Sequence, residues 1–343
     1  MSKLFKIETS SYTSRIYLQA CLSGLTELLA GRRAFLVTDE NVEHFYGSVL
    51  PDIPRLVLPY GEETKTFATI SQIVDFLLKN RADRHSLLIG CGGGVISDLT
   101  GLTAALFQRG IACAQIPTTL LAQVDASVGG KNGINFQGYK NVLGTISQPE
   151  FVLIDSSFLP TLPQREISCG LAEIAKHALI ADPEMVDYLE LHTRLIRELN
   201  TGCIDYLVSR SVEIKSRFVV LDEKDAGERN KLNFGHTVGH ALEKVVGISH
   251  GEAVSIGICS AAAISVERGM LDLKDAVRIN LLLSGLGLPT SFDADPSAIL
   301  DALFKDKKRK NSEIRFVLLN GIGNPVLENI PLAELEQAIH DLC

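Results

Sequence analysis

The chain has 343 residues and a mass of 37.3 kDa, room for about two domains at roughly 100–200 residues each. Hydrophobic residues make up 46% and charged residues 22%, enough apolar surface to offset the entropy of ordering, which excludes a disordered chain. The formal net charge of −8 argues against nucleic acid as a partner, because phosphate contacts demand an excess of cations. Apolar runs are too short to span a membrane, and MSKLFKIETSSYTSR at the start has no signal-peptide core. Both predict a cytoplasmic protein without a membrane partner. The seven cysteines form no CxxC pair, and most (Cys91, Cys113, Cys169, Cys259) sit in apolar or glycine-rich segments. They read as reduced, buried small residues.

In chain order, residues 4–18 suggest an extra hairpin or edge strand. Short β-rich runs follow at 34–38, 55–59, 86–90, 112–116 and 151–154, and 66–80 (TFATISQIVDFLLKN) carries helical spacing. Nearly all-apolar strands separated by helices indicate a parallel sheet covered on both faces. TLPQREISCG then looks like a connector. Beyond it, helical patterns occupy 165–180, 184–199, 202–221, 236–246, 251–269 and 273–285, interrupted by one strand-like run, IRFVLL at 314–319. The basic run KDKKRK at 305–310 is too short to act as a tail. The fold class expected is α/β, with a Rossmann-like parallel-sheet domain over 1–160 and a mainly helical domain over 161–343.

Strand 86–90 runs into Gly92-Gly93-Gly94-Val95-Ile96-Ser97-Asp98 and then a helix. Such a turn brings bare backbone N–H groups up to a phosphate, although the spacing is not GxGxxG and a tight turn needing glycine would look the same. Pro117-Thr118-Thr119, Gly61-Glu62-Glu63-Thr64-Lys65 and Asp39-Glu40-Asn41 also follow strands, where an open parallel sheet binds ligands. Together the four point to a nucleotide cleft. Lys131 beside a glycine pair, and Lys140-Asn141 further on, offer charge for a phosphate, or are solvated loop lysines. Glu173 lies in a helical stretch with Lys176 on the same face. His236 and His240 stand at i and i+4, and His250 opens another helix. Two or three imidazoles and a carboxylate make a catalytic zinc set. The spacing leaves open whether His236, His240 or both are ligands, and an HxxxH pair is equally an ordinary helix face. His44, His85, His192 and His340 lack such company and read as surface residues, and His177 as a core, surface or supporting one.

GEETK, GGGVISD, QRG, PTTLLAQVDASVGGK, KNVLG, LPQRE, GLAEIAK, EIK, RNKLNFGHTVGHALE, HGEAV and DKK occur in order along nearly the whole chain. In these blocks the sequence resembles the 3-dehydroquinate synthases of the shikimate pathway. The resemblance implies an N-terminal NAD-binding domain, a C-terminal domain that supplies zinc (or cobalt), an active site between them, and a homodimer. It implies Glu173, His236 and His250 as metal ligands, with His240 facing the substrate phosphate. NAD would contact Asp39, Asn41, Glu62, Lys65, Gly93, Gly94, Val95, Asp98, Thr118, Thr119 and Thr161, with Lys131 and Lys140 nearby. Substrate groups would meet Asp125, Lys131, Lys140, Asn141, Lys176, Lys215, Arg229 and Asn233. Arg109 would reach across the dimer, and one of Lys305, Lys307 and Lys308 would cover the site.

The small-molecule substrate implied is a phosphorylated seven-carbon sugar acid, DAHP. Its hydroxyls are acidified by the metal, a hydride passes to NAD and back, and phosphate leaves before an aldol closure. Departures from the pattern are Ser97 for glycine, His177 for tyrosine and Ala126 for serine, none of which removes a charge or ligand. Competing readings are a sugar phosphate cyclase acting on sedoheptulose 7-phosphate or glucose 6-phosphate, and a metal-dependent alcohol or glycerol dehydrogenase. Arg229, Asn233 and the DKK lysines favour a substrate with a carboxylate, and the metal motifs disfavour the dehydrogenase.

Overall fold

A computed structural model describes residues 3–9, 12–292, 296–307, 313–331, 334–336 and 339. Contacts divide it into two compact units. One runs to Leu162 and includes Lys215–Lys224; the other takes Pro163–Ile214 and the described residues from Asp225 onward. The sequence reading set its boundary after residue 160 and did not anticipate that the short stretch 215–224 groups with the first unit.

The first unit is built on a seven-stranded sheet. Its strands are β1 (Lys3–Glu8), β2 (Thr13–Leu18), β3 (Ala34–Asp39), β4 (Arg55–Leu58), β5 (Leu87–Gly92), β6 (Ala112–Pro117) and, after a separate hairpin of β7 (Lys131–Phe136) and β8 (Tyr139–Ile146), β9 (Phe151–Leu153). The spatial order is β1-β2-β9-β6-β5-β3-β4, parallel throughout except for the antiparallel β1–β2 pair. Every residue of β3 and β5 is buried, as expected of strands covered on both faces. Alternation sends Phe35, Val37 and Leu88 into one core and Ala34, Leu36, Leu87 and Ile89 into the other. Helices α1 (Leu25–Leu29) and α2 (Glu40–Tyr46) pack on the second core, through Leu25 and Val42. Helices α3 (Phe67–Lys79) and α4 (Gly94–Leu106) pack on the first, through Ile70, Ile73, Leu77, Ile96, Leu99 and Leu102.

The β7–β8 hairpin stands where the sequence suggested a loop. Its strands, KNGINF and YKNVLGTI, are rich in glycine and asparagine, and a register shift between Ile134 and Phe136 breaks the alternation. The readable signal is the turn: Gln137 and Gly138 both have positive φ, the two-residue connection that matches strand twist.

The second unit carries α5 (Gln164–Ala181), α6 (Pro183–Leu191), α7 (Thr193–Arg197), most of α8 (Thr201–Leu221), α9 (His236–Val246), α10 (His250–Glu267), α11 (Leu273–Gly285) and α12 (Pro296–Lys307). It also holds a hairpin of β10 (Glu313–Leu319) and β11 (Pro325–Pro331). The pattern at 184–199 is split at His192, and α12 and β11 were not foreseen. Helix α10 buries residues on every side, which makes it the centre of the unit. Among the described residues no helix is long and apolar enough to cross a membrane, and six cysteines are free.

Candidate functional site

In the first unit the candidate groups gather where the parallel strands end. Asp39 caps α2, accepting hydrogen bonds from the backbone of Asn41 and Val42, both at 3.0 Å, and burial raises its carboxyl above the usual range. Lys65, buried in the turn after β4, pairs with Asp98 on α4 and donates to Asn141 Oδ1 at 2.6 Å. Burial pushes Asp98 up to about 6 even though Lys65 pulls the other way. Glu62 accepts from Asn135 Nδ2 at 2.7 Å, and the Asn141 N–H donates to Asn135 Oδ1 at 2.9 Å. The hairpin is thereby tied to the Glu62–Lys65 turn, and Asn135 is a member of the set that sequence reasoning missed.

Gly93 is the N-cap of α4, and no side chain caps that end. The N–H groups of the first turn, with Gly94 and Val95, are thus available to an anion such as a dinucleotide phosphate. A Cβ on Gly93 would stand 3.1 Å from Thr119 Cγ2. Thr118 N–H donates to Gly92 O at 3.0 Å, and Thr119 Oγ1 accepts from Ala122 N–H at 3.1 Å. Thr161 Oγ1 lies 2.8 Å from the Tyr46 hydroxyl. Lys215 donates to the Asp125 carbonyl at 2.6 Å and pairs with its carboxylate. Lys131, Lys140 and Arg109 are exposed, and Gln108, Arg109 and Gly110 form a run of positive φ.

In the second unit Glu173, His236 and His250 converge, with one ligand atom of each within 4.8 Å of the others. Three helices supply them: Glu173 is buried in α5, His236 opens α9 and His250 opens α10. Close helix approach makes this possible. A Cβ on Gly257 of α10 would lie 1.9 Å from the carbonyl oxygen of Gly235, and one on Gly251 would lie 2.4 Å from Cys169 Cα. A capping box between Ser249 and Glu252 fixes the first turn of α10.

Each ligand candidate has one atom tied and one presented. Lys176 pairs with Glu173 Oε2, while Oε1 faces His250 Nε2 at 3.2 Å and His236 Nε2 at 3.5 Å. His236 Nδ1 lies 3.1 Å from Phe234 O, and His250 Nδ1 lies 2.7 Å from Glu243 Oε1. Acceptors on both Nδ1 atoms leave Nε2 to a metal, the arrangement by which protein zinc sites fix the tautomer. Burial alone would raise Glu173, yet Lys176 and the two imidazoles hold it well below the usual carboxylate range. Burial and Lys176 push His236 down to about 3. His250 is raised to about 10: burial opposes its charge, but the bonds to Glu173 and Glu243 outweigh it. One carboxylate oxygen and two imidazole nitrogens suit a divalent ion of the zinc or cobalt kind.

His240 is not part of that cluster. It lines a cavity of about 320 Å³ together with His236, Asn230 and Asn233. Lys244, Arg315, Val317 and Leu327 line the same cavity and were not foreseen. Arg229 is buried in the short helical turn Glu228–Asn233. Lys305 and Lys307 are described in backbone only, and Lys308 and His340 lie outside the described residues.

A seven-stranded, mostly parallel sheet with an uncapped glycine turn, and a helical unit with a carboxylate–imidazole cluster, make up a fold shared with solved sugar phosphate cyclases. A crystal structure of 2-deoxy-scyllo-inosose synthase with carbaglucose-6-phosphate, NAD+ and Co2+ matches it with a TM-score of 0.89 at 24% identity, covering 99% of this chain and 100% of that one. A 2-epi-5-epi-valiolone synthase from Streptomyces hygroscopicus, with NAD+ and Zn2+ bound, matches with a TM-score of 0.87 at 29% identity, covering 100% and 98%. Models of the 3-dehydroquinate synthase N-terminal and C-terminal domains match residues 55–169 and 170–309. The 3-dehydroquinate synthase of Halorhodospira halophila is 42% identical over 311 residues, 88% of each chain. The chain belongs to the 3-dehydroquinate synthase family.

Proposed function

We propose that the chain is a 3-dehydroquinate synthase, which converts DAHP to 3-dehydroquinate with release of phosphate. The observation that carries this reading is the convergence of Glu173, His236 and His250 in a chain of that family. The donor set fits a divalent ion, for which we take zinc, and the open glycine turn at Gly93 fits the phosphates of NAD. When bound, NAD supplies a reversible hydride acceptor and the ion a means of acidifying substrate hydroxyls. The chain's own residues do the rest. Lys131 and Arg109 neutralise the phosphate and the Asn141 amide donates to it, while Lys215 and Arg229 meet the carboxylate or hydroxyls. His240 faces the phosphate and moves a proton, and Lys176 keeps Glu173 ionised by its charge.

Overall the hydride is returned, so the reaction has no net redox change. Purified protein given DAHP, a divalent ion and NAD in enzyme-like amounts should release phosphate without accumulating NADH. Steady NADH formation from a simple alcohol, with no phosphate from DAHP, would replace this reading by a dehydrogenase. His236→Ala should lose metal, whereas His240→Ala should keep metal and lose rate; equal metal loss in both would refute the division of roles.

The assembly proposed is a homodimer in which Arg109 completes the partner's site, a role suited to an exposed arginine in a turn of positive φ. Mixing Arg109→Ala with Lys131→Ala protein should then change activity non-additively after subunit exchange. The six free cysteines among the described residues suit a reducing compartment, and we assign the protein to the cytoplasm.

A further inference from the structure

We infer that Glu243 is a positioning residue for the metal site: it orients His250 so that its Nε2 is presented to the ion. This rests on reading Glu173, His236 and His250 as ligands.

The carboxylate lies 2.7 Å from His250 Nδ1 and is largely buried, its side chain 11% exposed. An ionised carboxylate only accepts, so the ring nitrogen facing it must carry the proton. A neutral imidazole has one N–H. Glu243 therefore holds a proton at Nδ1 and leaves Nε2, which faces Glu173 Oε1 at 3.2 Å, as the nitrogen whose proton an ion would displace. For His236 the same task falls to a main-chain oxygen, Phe234 O, which no substitution removes. Glu243 is the side-chain brace of the pair. It lies seven residues after His236 on α9, two turns along the same face. One helix thus carries a ligand and, two turns on, the support of a second ligand that belongs to α10.

The ordinary alternative is that Glu243 is a surface carboxylate in a helix-to-helix ion pair whose loss costs only stability. Metal affinity separates the two. Competition against a chromophoric chelator should give a Zn2+ affinity about 10–100-fold weaker in Glu243→Ala than in the parent. Glu243→Gln, whose amide oxygen still accepts from Nδ1, should recover most of that loss. Nitrogen-detected NMR of the histidine rings in the Zn2+-loaded parent should show His250 protonated at Nδ1, with Nε2 bound to the ion. His250→Ala serves as the reference. If it binds Zn2+ as the parent does, the ligand assignment itself fails. If it loses the ion while Glu243→Ala stays within about twofold of the parent, the brace is overturned and the ligand assignment stands. A Glu243→Gln variant as weak as Glu243→Ala would also overturn it, by assigning the effect to charge. Should Glu243→Ala fail to fold, the isosteric Gln variant and the Zn2+-loaded parent ring spectrum decide: a proton on Nε2 with Nδ1 on the ion refutes the inference.

Discussion

Both units of the molecule bury a lysine against a carboxylate on a helix, Lys65 with Asp98 in the first and Lys176 with Glu173 in the second, and these two carboxylates respond in opposite ways. Asp98 has Lys65 as its close cation and is pushed up to about 6 by burial. Glu173 is more deeply buried, yet Lys176, His236 and His250 surround it and keep it ionised. Burial penalises a charge, but the number of cationic or N–H partners decides which side wins. The first pair resembles a structural clasp that holds a turn against a helix. The second is a negative charge maintained for sharing.

The strongest test of that contrast removes a partner of Glu173 outright. Chelation, or His250→Ala, should take phosphate release to background while circular dichroism stays helical and NAD binding by equilibrium dialysis is unchanged. Full activity in a metal-free preparation would erase the distinction between the two sites.

Breaking each lysine pair sharpens it. Removing one partner of a buried pair costs about 3–5 kcal/mol. Lys65→Met should show that loss in urea unfolding whether or not metal is present. Lys176→Met should show it in chelator and much less of it with the ion bound, since the ion replaces the missing cation. Equal losses in all conditions would mean that Glu173 does not share its charge with an ion.

A smaller effect is expected from Asp98 with pH. Its folded value of about 6 lies above the ordinary 3.8, so the folded state holds the proton more tightly than the unfolded state does. Its contribution to stability therefore falls as pH rises from about 4 to about 6, by up to about 3 kcal/mol. Asp98→Asn should flatten that part of the stability–pH curve. An unchanged slope would show that Lys65 fully compensates burial.

Two glycines give the mildest comparison. Gly257→Ala sets a methyl 1.9 Å from the Gly235 carbonyl and should cost about 1–3 kcal/mol as the helices move apart. Gly93→Ala meets only the side chain of Thr119, its methyl at 3.1 Å and its hydroxyl at 3.6 Å, and should cost under about 1 kcal/mol while weakening NAD binding. Thermal melts and NAD dialysis of the two variants would reveal a reversed order.

Much of this was legible in the chain. The runs AFLVT and SLLIG read as buried parallel strands because both faces are apolar, and the ordered motifs named the three residues that converge. What was not legible depends on contacts distant in sequence. Asn135 is an ordinary asparagine until the hairpin brings it to Glu62. Glu243 was part of a quoted motif, but only the packing of α9 on α10 gives it His250 as a partner. The helix at 184–199 divides at His192, whose ring stacks on Tyr188 and whose backbone leaves the helical region, and no turn residue marks that break.

Helix α8 bears on how such a protein can be cut and recombined. It is one uninterrupted helix from Thr201 to Leu221, yet Lys215–Lys224 belongs to the first unit. A gene fragment ending at residue 162 would omit that segment and with it Lys215, leaving Asp125 without its ammonium partner. Exchange of whole halves between homologues at the obvious connector would therefore join a Lys215 segment from one parent to an Asp125 turn from the other. Inheritance of the two halves is coupled through ten residues, and chimeras should tolerate a crossover at 162 only where both parents agree over 215–224.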